Sequence, residues 1–422
     1  MTMERQESLF IKYKLIRARS VEICSPLQVE DYVVQPIEDV SPPKWHLAHT
    51  TWFFETLILK PNIKNYQFYN EKYNYIFNSY YESLGERIMR VDRGNLSRPT
   101  VNEVLHFREV IDENMEIFLT DSVDDKILDL IEVGLNHEQQ HQELLITDIK
   151  YILGHNPLFP SYKLEYDKSL DQFAKIIEPT YIKVPSKNYS VGNSKSDFHY
   201  DNEESEHQIF LNEFRFSDML VTNEEYIHFI SDKGYKRHEL WLSDGWDWVR
   251  RNNIKSPLYW HLIDKKFYEY TLTNGLQKIN PDAPVTHISF YEADAFARWK
   301  NQRLLTEFEW EVAVKKYIME LDYNLSNFQD NNLFHPLARR ESSYQLIGDV
   351  WEWTNSAYLS YPGYKRPKGA LGEYNGKFMS SQMVLRGGSC ATPIDHFRVS
   401  YRNFYQPDKR WQFTGIRLAS DN

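Results

Sequence analysis

Apolar residues recur at mixed spacings of three and four through four stretches of the first third of the chain. The pattern predicts helices over residues 8–23, 45–59, 102–119 and 125–151. In the last of these, Ile127, Leu128, Ile131, Leu135, Leu144, Leu145 and Ile149 mark an apolar face, no proline interrupts, and Gly154 and Pro157 close the segment. Pro42-Pro43 punctuates the first two helices. Four such helices predict a four-helix bundle.

Residues 156–175 contain Pro157 and Pro160, have no clear period, and read as a connector. From Ile176 the pattern changes to short strands, turns and compact helices. Thr222-x-x-Glu225, Ser289-x-x-Glu292 and Thr306-x-x-Glu309 are capping boxes, each opening a helix. The stretch from Ile347 is rich in glycine and aromatics. The expectation is an α+β protein: a helical domain over residues 1–155, a linker over 156–175 and a mixed domain over 176–422, with no internal repeat.

A length of 422 residues suits two domains, each large enough to bury a core. The net charge of −11, with both signs spread along the chain, argues against nucleic-acid or anionic-membrane partners. Met1 to Glu7 has no apolar core, and no run approaches a membrane span, so a cytoplasmic protein is expected. Cys24 and Cys390 are too few for a disulfide framework and are expected to be reduced thiols.

The candidate chemistry sits mid-helix in His137-Glu138-Gln139-Gln140-His141. Two histidines four residues apart lie one turn above each other, so both imidazoles can reach one ion, and Gln140 shares that edge. One reading is a polar helix with incidental histidines. A second is a zinc peptidase, since the motif matches that signature, but Leu144 and Thr147 stand where its longer form has Gly and His. A third is an open three-histidine iron site. Its third ligand would come from His46 or His49 near the start of the second helix; His49, followed by an aromatic face, is the better inward candidate. Three neutral imidazoles leave positions open for a thiolate and dioxygen.

Between the histidine segments, Phe77 to Arg87 contains Tyr80, Tyr81 and Gly85. Either tyrosine could deliver a phenolic proton to reacting oxygen. Arg90 and Arg93, with Arg87 beside them, are candidates to clamp a substrate carboxylate. The competing reading is a solvated basic loop with packing tyrosines.

These segments resemble the hercynine sulfoxide synthases of ergothioneine biosynthesis, the EgtB family. The resemblance rests on Pro42-Pro43-Lys44-Trp45-His46-Leu47-Ala48-His49 and His137 to His141 in the first half. In the second half it rests on Asp201-Asn202-Glu203, Val221 to Tyr226, Arg303 to Glu311, Gly348 to Thr354, Leu385 to Ser389 and Gly415 to Leu418. It implies a DinB-like four-helix bundle joined to a domain like formylglycine-generating enzyme, which is C-type-lectin-like. It also implies Fe(2+) held by His49, His137 and His141, with O2 as co-substrate. The reaction implied joins L-cysteine sulfur to the imidazole carbon of hercynine and oxidises that sulfur to a sulfoxide. Gln140 falls where the family supports the bound imidazole, and the Tyr80-Tyr81 pair is similar to the branch whose catalytic tyrosine lies in the bundle.

In the block Tyr401 to Gln412, the branch that uses γ-glutamylcysteine has an aspartate and an arginine where this chain has Tyr405 and Lys409. The resemblance therefore implies free L-cysteine as the thiol. Asn403 and Phe404 are candidates for the hercynine carboxylate and ammonium, with Tyr405 beside them; Tyr374 is a weaker candidate. Selenoneine and ovothiol-type synthases share the iron site and stand as alternatives, as does a non-catalytic binding protein. Formylglycine generation needs two cysteines, and only Cys390 lies in the relevant half.

Overall fold

The computed structural model describes residues 2–421 apart from Tyr80, 163–177, 195–196, 318–325, 340–344 and 368–373. The chain forms two compact units, one containing Met1–Leu164 and the other Glu165–Pro367 and Tyr374–Asn422. Of the expected connector, residues 163–175 lie outside the described residues. Among the described residues no helix is long and apolar enough to cross a membrane.

The first unit is helical: α1 (Thr2–Cys24), α2 (Pro43–Phe54), α3 (Lys60–Asn62), α4 (Tyr73–Phe77), α5 (Val101–Phe118) and α6 (Asp125–Gly154). The four long helices match the expected bundle, with α1 packed on α6 and α2 on both α5 and α6. Helix α2 starts at Pro43, where a missing N–H costs nothing. Beyond Phe54 it widens into a π-helical segment, Glu55–Leu59, and runs into α3.

All twelve residues of α2 are buried, including Lys44, His46, His49, Thr50 and Thr51. A central helix with no solvated face must find a partner for each of these polar groups inside the protein. Its close approach to α6 depends on Gly134, where a Cβ would meet the rings of Phe53 and Phe54 at 2.7 and 2.9 Å. One turn beyond that contact is His137.

The second unit is mixed. Its strands are β1 (Tyr181–Val184), β2 (Lys187–Val191), β3 (His207–Leu211), β4 (Phe214–Ser217), β5 (Trp260–Ile263), β6 (Lys266–Thr271), β7 (Gly275–Lys278), β8 (Arg303–Leu304), β9 (Trp351–Ala357), β10 (Met383–Arg386), β11 (Asn403–Tyr405), β12 (Thr414–Gly415) and β13 (Leu418–Ser420). They form sheets ordered β1-β4-β13-β8, β11-β10-β9-β12, β2-β3 and β5-β6-β7. Helices α7 (Asn223–Ser231), α8 (Ser243–Asn252), α9 (Phe290–Trp299) and α10 (Glu307–Tyr317) accompany them. Capping boxes at Thr222 and Ser289 open α7 and α9. Thr306 and Glu309 exchange the same bonds at the start of α10.

The short motifs of this half are halves of buried ion pairs. Glu307 on α10 takes a two-pronged contact from Arg402 at 2.8 and 3.0 Å, and Glu311 pairs with Arg386. Glu352 on β9 accepts from Arg417 at 2.8 and 2.6 Å and from the Trp310 indole at 2.8 Å. A bidentate arginine fixes geometry as well as charge. These glutamates and arginines, far apart in sequence, lock α10, β9, β10 and the C-terminal strands together.

Candidate metal centre

The described residues bring His49, His137 and His141 together, with ligand-capable atoms all within 4.8 Å of one another and all three side chains buried. His49 comes from α2; the other two come from one face of α6. The Nε2 atoms of His49 and His137 lie 3.2 Å apart. That is the separation of two imidazole nitrogens that each sit about 2.1 Å from a shared ion.

Each ring is held by its surroundings. His49 Nδ1 donates to the Phe77 carbonyl at 2.6 Å, because a carbonyl can only accept. The His49 ring stacks on Trp45 at 4.6 Å and on Trp52 at 5.6 Å. Trp45, His49 and Trp52, at spacings of four and three, share one face of α2. Helix α4 orients this column: the Trp45 indole donates to the Ile76 carbonyl at 3.0 Å and that of Trp52 to Asn74 Oδ1 at 2.9 Å.

Burial penalises the imidazolium form and holds all three histidines below the usual range. For His137 burial brings the value to about 3, against the opposing pull of Glu138. For His49 and His141 burial again leads, reinforced by the neighbouring histidines and Arg93. At neutral pH the site therefore presents uncharged imidazoles, a donor set that suits a divalent transition metal.

Glu138 faces other partners. Its carboxylate accepts from Ser20 Oγ at 2.6 Å and Arg17 at 3.0 Å, and it pairs with Arg108. Burial would raise its pKa, but Arg108 and Arg17 overcome that and bring it to about 2. Arg17 also reaches Asp112 at 2.6 Å and Thr51 at 3.0 Å. This cluster ties α1, α2, α5 and α6 together and leaves Glu138 without the proton affinity that a peptidase general base needs.

His46 lies outside the triad. Its Nδ1 is 2.8 Å from His141 Nδ1 and its Nε2 is 3.0 Å from Asp148 Oδ2. Among the other candidates of this unit, Arg93 is buried with its guanidinium 3.4 Å from the Trp45 ring centroid and bonded to Ser41 and Ser79. Arg90 is exposed and donates to the Asp39 carbonyl; Arg87 and Gln140 are half-buried. Tyr81 is buried, its ring 5.7 Å from Trp52, and Tyr80 lies outside the described residues.

The second unit carries the remaining candidates. Asn403, Phe404 and Tyr405 form β11, paired to Leu385, Val384 and Met383. Phe404 stacks on Tyr358 at 4.0 Å, Tyr405 packs edge-on against Trp411, and buried Tyr374 stacks on Tyr200 at 5.4 Å. Sequence reasoning did not foresee the tryptophan pair around His49 or the arginine cluster on Glu138. The first was legible in the four-and-three spacing of Trp45, His49 and Trp52; the second, whose arginines lie 121 and 30 residues from Glu138 on other helices, was not.

Residues 12–145 match the DinB superfamily, and residues 168–422 match the family described as Sulfatase-modifying factor enzyme 1-like domain. The chain is 30% identical to a hercynine oxygenase of Mycolicibacterium thermoresistibile over 68% of each chain. It is 29% identical to that of Mycolicibacterium smegmatis over 68% of this chain and 70% of the relative. An inactive C-alpha-formylglycine-generating enzyme 2 of Mus musculus is 26% identical over 58% of this chain and 86% of its own. With both halves matched and a relative similar across two thirds of each chain, this α+β protein belongs to the EgtB-type hercynine oxygenase family.

Proposed function

We propose that this chain is an iron(II)-dependent, O2-consuming sulfoxide synthase of ergothioneine biosynthesis. It joins the sulfur of L-cysteine to the imidazole carbon of hercynine and oxidises that sulfur, giving hercynylcysteine sulfoxide. The observation that carries the reading is the convergence of three neutral imidazoles from two helices, two of them with Nε2 atoms 3.2 Å apart. The reaction balances: the C–H and S–H bonds give up two hydrogens, one oxygen atom goes to sulfur, and the other leaves as water.

Iron(II) on the three histidines would supply open coordination positions and electrons for dioxygen reduction. The remaining work belongs to the chain. The Trp45–His49–Trp52 column keeps water from one side of the triad and fixes a ligand ring. Gln140 on the histidine edge of α6 would support the bound imidazole. Tyr81 or Tyr80 would provide the proton that directs oxidation toward C–S bond formation. Arg87, Arg90 and Arg93 are assigned to substrate carboxylates. Asn403, Phe404, Tyr405 and Tyr374 are assigned to the hercynine head group and the amino-acid end of the thiol.

Tyr405 and Lys409, in place of an acidic and a guanidinium group, favour free L-cysteine over γ-glutamylcysteine. Two buried thiols, Cys24 and Cys390, with no disulfide, suit the cytoplasm. The test is mass spectrometry of the product from hercynine, Fe(II), air and one of L-cysteine, γ-glutamylcysteine or a selenosugar, with histidine as the alternative acceptor. A sulfoxide from hercynine and L-cysteine is expected. Absence of oxygen consumption with every pair would leave a binding protein.

A further inference from the structure

The metal reading leaves one buried polar pair without a role. His46 on α2 and Asp148 on α6 are both almost fully buried, and they form a chain that ends on His141. Asp148 Oδ2 accepts the Ser41 N–H at 2.8 Å and lies 3.0 Å from His46 Nε2. The other nitrogen of His46 lies 2.8 Å from His141 Nδ1.

The proton positions along this chain follow from what each atom can do. A carboxylate oxygen already receiving a backbone N–H acts as an acceptor, so the proton between Asp148 and His46 sits on His46 Nε2. A neutral imidazole has one N–H, so His46 Nδ1 presents a lone pair. The proton in the contact between the two histidines therefore sits on His141 Nδ1. That leaves His141 Nε2 bare, as a metal ligand must be.

We infer that Asp148, acting through His46, sets the tautomer and ring orientation of His141, so that both are positioning residues for the third metal ligand. The inference rests on the metal reading above. It distinguishes His141 from His49, whose Nδ1 answers to a backbone carbonyl that no side-chain substitution removes. His141 answers to two side chains, and either can be altered without touching a ligand.

Cobalt(II) is the probe, titrated into metal-free protein and followed by its visible absorption, with far-UV circular dichroism and the melting midpoint recorded for each variant. Outer partners of metal-bound histidines change affinity by about 10- to 100-fold. His46→Leu fills the space but removes the acceptor, so it should weaken Co(II) binding by that factor and alter the spectrum. His46→Gln offers an amide oxygen to His141 Nδ1–H and should recover a large part of the loss. Asp148→Leu fills the space but removes the acceptor that holds the proton on His46 Nε2, so it should also weaken binding.

Equal affinity and spectrum in wild type and His46→Leu would overturn the inference. So would equal losses in the Leu and Gln variants, which would mark packing rather than an accepted proton. If His46→Leu fails to fold, an unchanged Asp148→Leu titration would overturn it. Wild-type protein that takes up no more Co(II) than His49→Ala would instead remove the metal reading, and this inference with it.

Discussion

His49 Nδ1 lies 2.6 Å from the carbonyl oxygen of Phe77, the last residue of α4. A helix of five residues thus decides which nitrogen of a central imidazole is bare. The same short element supplies acceptors to the two indoles that sandwich that ring. The segment before the Tyr80-Tyr81 pair is therefore a template for the α2 side of the site.

Removing a ligand should remove the metal while sparing the bundle. In His49→Ala and His141→Ala we expect bound iron, measured by elemental analysis after anaerobic loading, to fall from about one per chain to near zero. Far-UV circular dichroism should stay close to wild type, because neither side chain carries the helix contacts around Gly134. Full iron retention in either variant would strike that residue from the ligand set.

Glu138→Gln separates the peptidase reading from the structural one. The substitution leaves Arg17 and Arg108 buried with one carboxylate fewer, and breaking a buried ion pair on one side costs about 3–5 kcal/mol. We expect a loss of that order in urea unfolding at pH 7 and no peptide cleavage to lose. Wild-type stability together with a peptidase activity that vanishes in the variant would reverse the assignment.

Acid should weaken the metal-free protein in two windows. The folded histidines have pKa values below the 6.5 of a free imidazole, so the unfolded chain binds their protons first. Stability is full above pH 6.5 and declines as pH falls toward about 3, the folded value for His137. Each such histidine costs up to about 1.4 kcal/mol per pH unit within its window. Glu138, lowered to about 2 from a usual 4.5, adds its own loss below pH 4.5. The unfolding midpoint of His137→Gln should consequently depend less on pH between 6.5 and 5. An unchanged slope would mean that His137 does not titrate on unfolding.

What could be read from the sequence and what could not divides by range. The four long helices, the capping boxes and the i, i+4 histidine pair are local patterns, and they emerged in place. His49 was separable from His46 by its aromatic neighbours. The role of His46 was not, because it depends on Asp148, about a hundred residues away, and on the tautomer that this carboxylate imposes. Arg93 read as a candidate carboxylate clamp beside the competing reading of a solvated basic loop; its burial over Trp45 and its bonds to Ser41 and Ser79 come from partners that the local pattern does not display. The π-helical widening at Glu55–Leu59 also escaped the pattern, since Glu55 is engaged by the Tyr69 N–H and the Tyr66 hydroxyl, both farther along the chain.

The tyrosine pair carries the sharpest chemical expectation. Tyr81 is buried next to Trp52, and its backbone is held from both sides by Asn78: the side-chain amide donates to the Tyr81 carbonyl at 3.1 Å, and its oxygen accepts the Tyr81 N–H at 3.2 Å. If the phenolic proton steers the reaction, Tyr81→Phe should keep oxygen consumption and divert product from sulfoxide to oxidised cysteine. General-acid contributions of about 10²-fold or more set the scale of the shift. Asn78→Ala leaves the hydroxyl in place but loosens its anchor, so it should move the product ratio in the same direction by less. Tyr80→Phe is the matched control within the pair. Product ratios from mass spectrometry that stay at the wild-type value in both tyrosine variants would take the proton donor out of this segment, and a shift in Tyr80→Phe alone would hand the role to its neighbour.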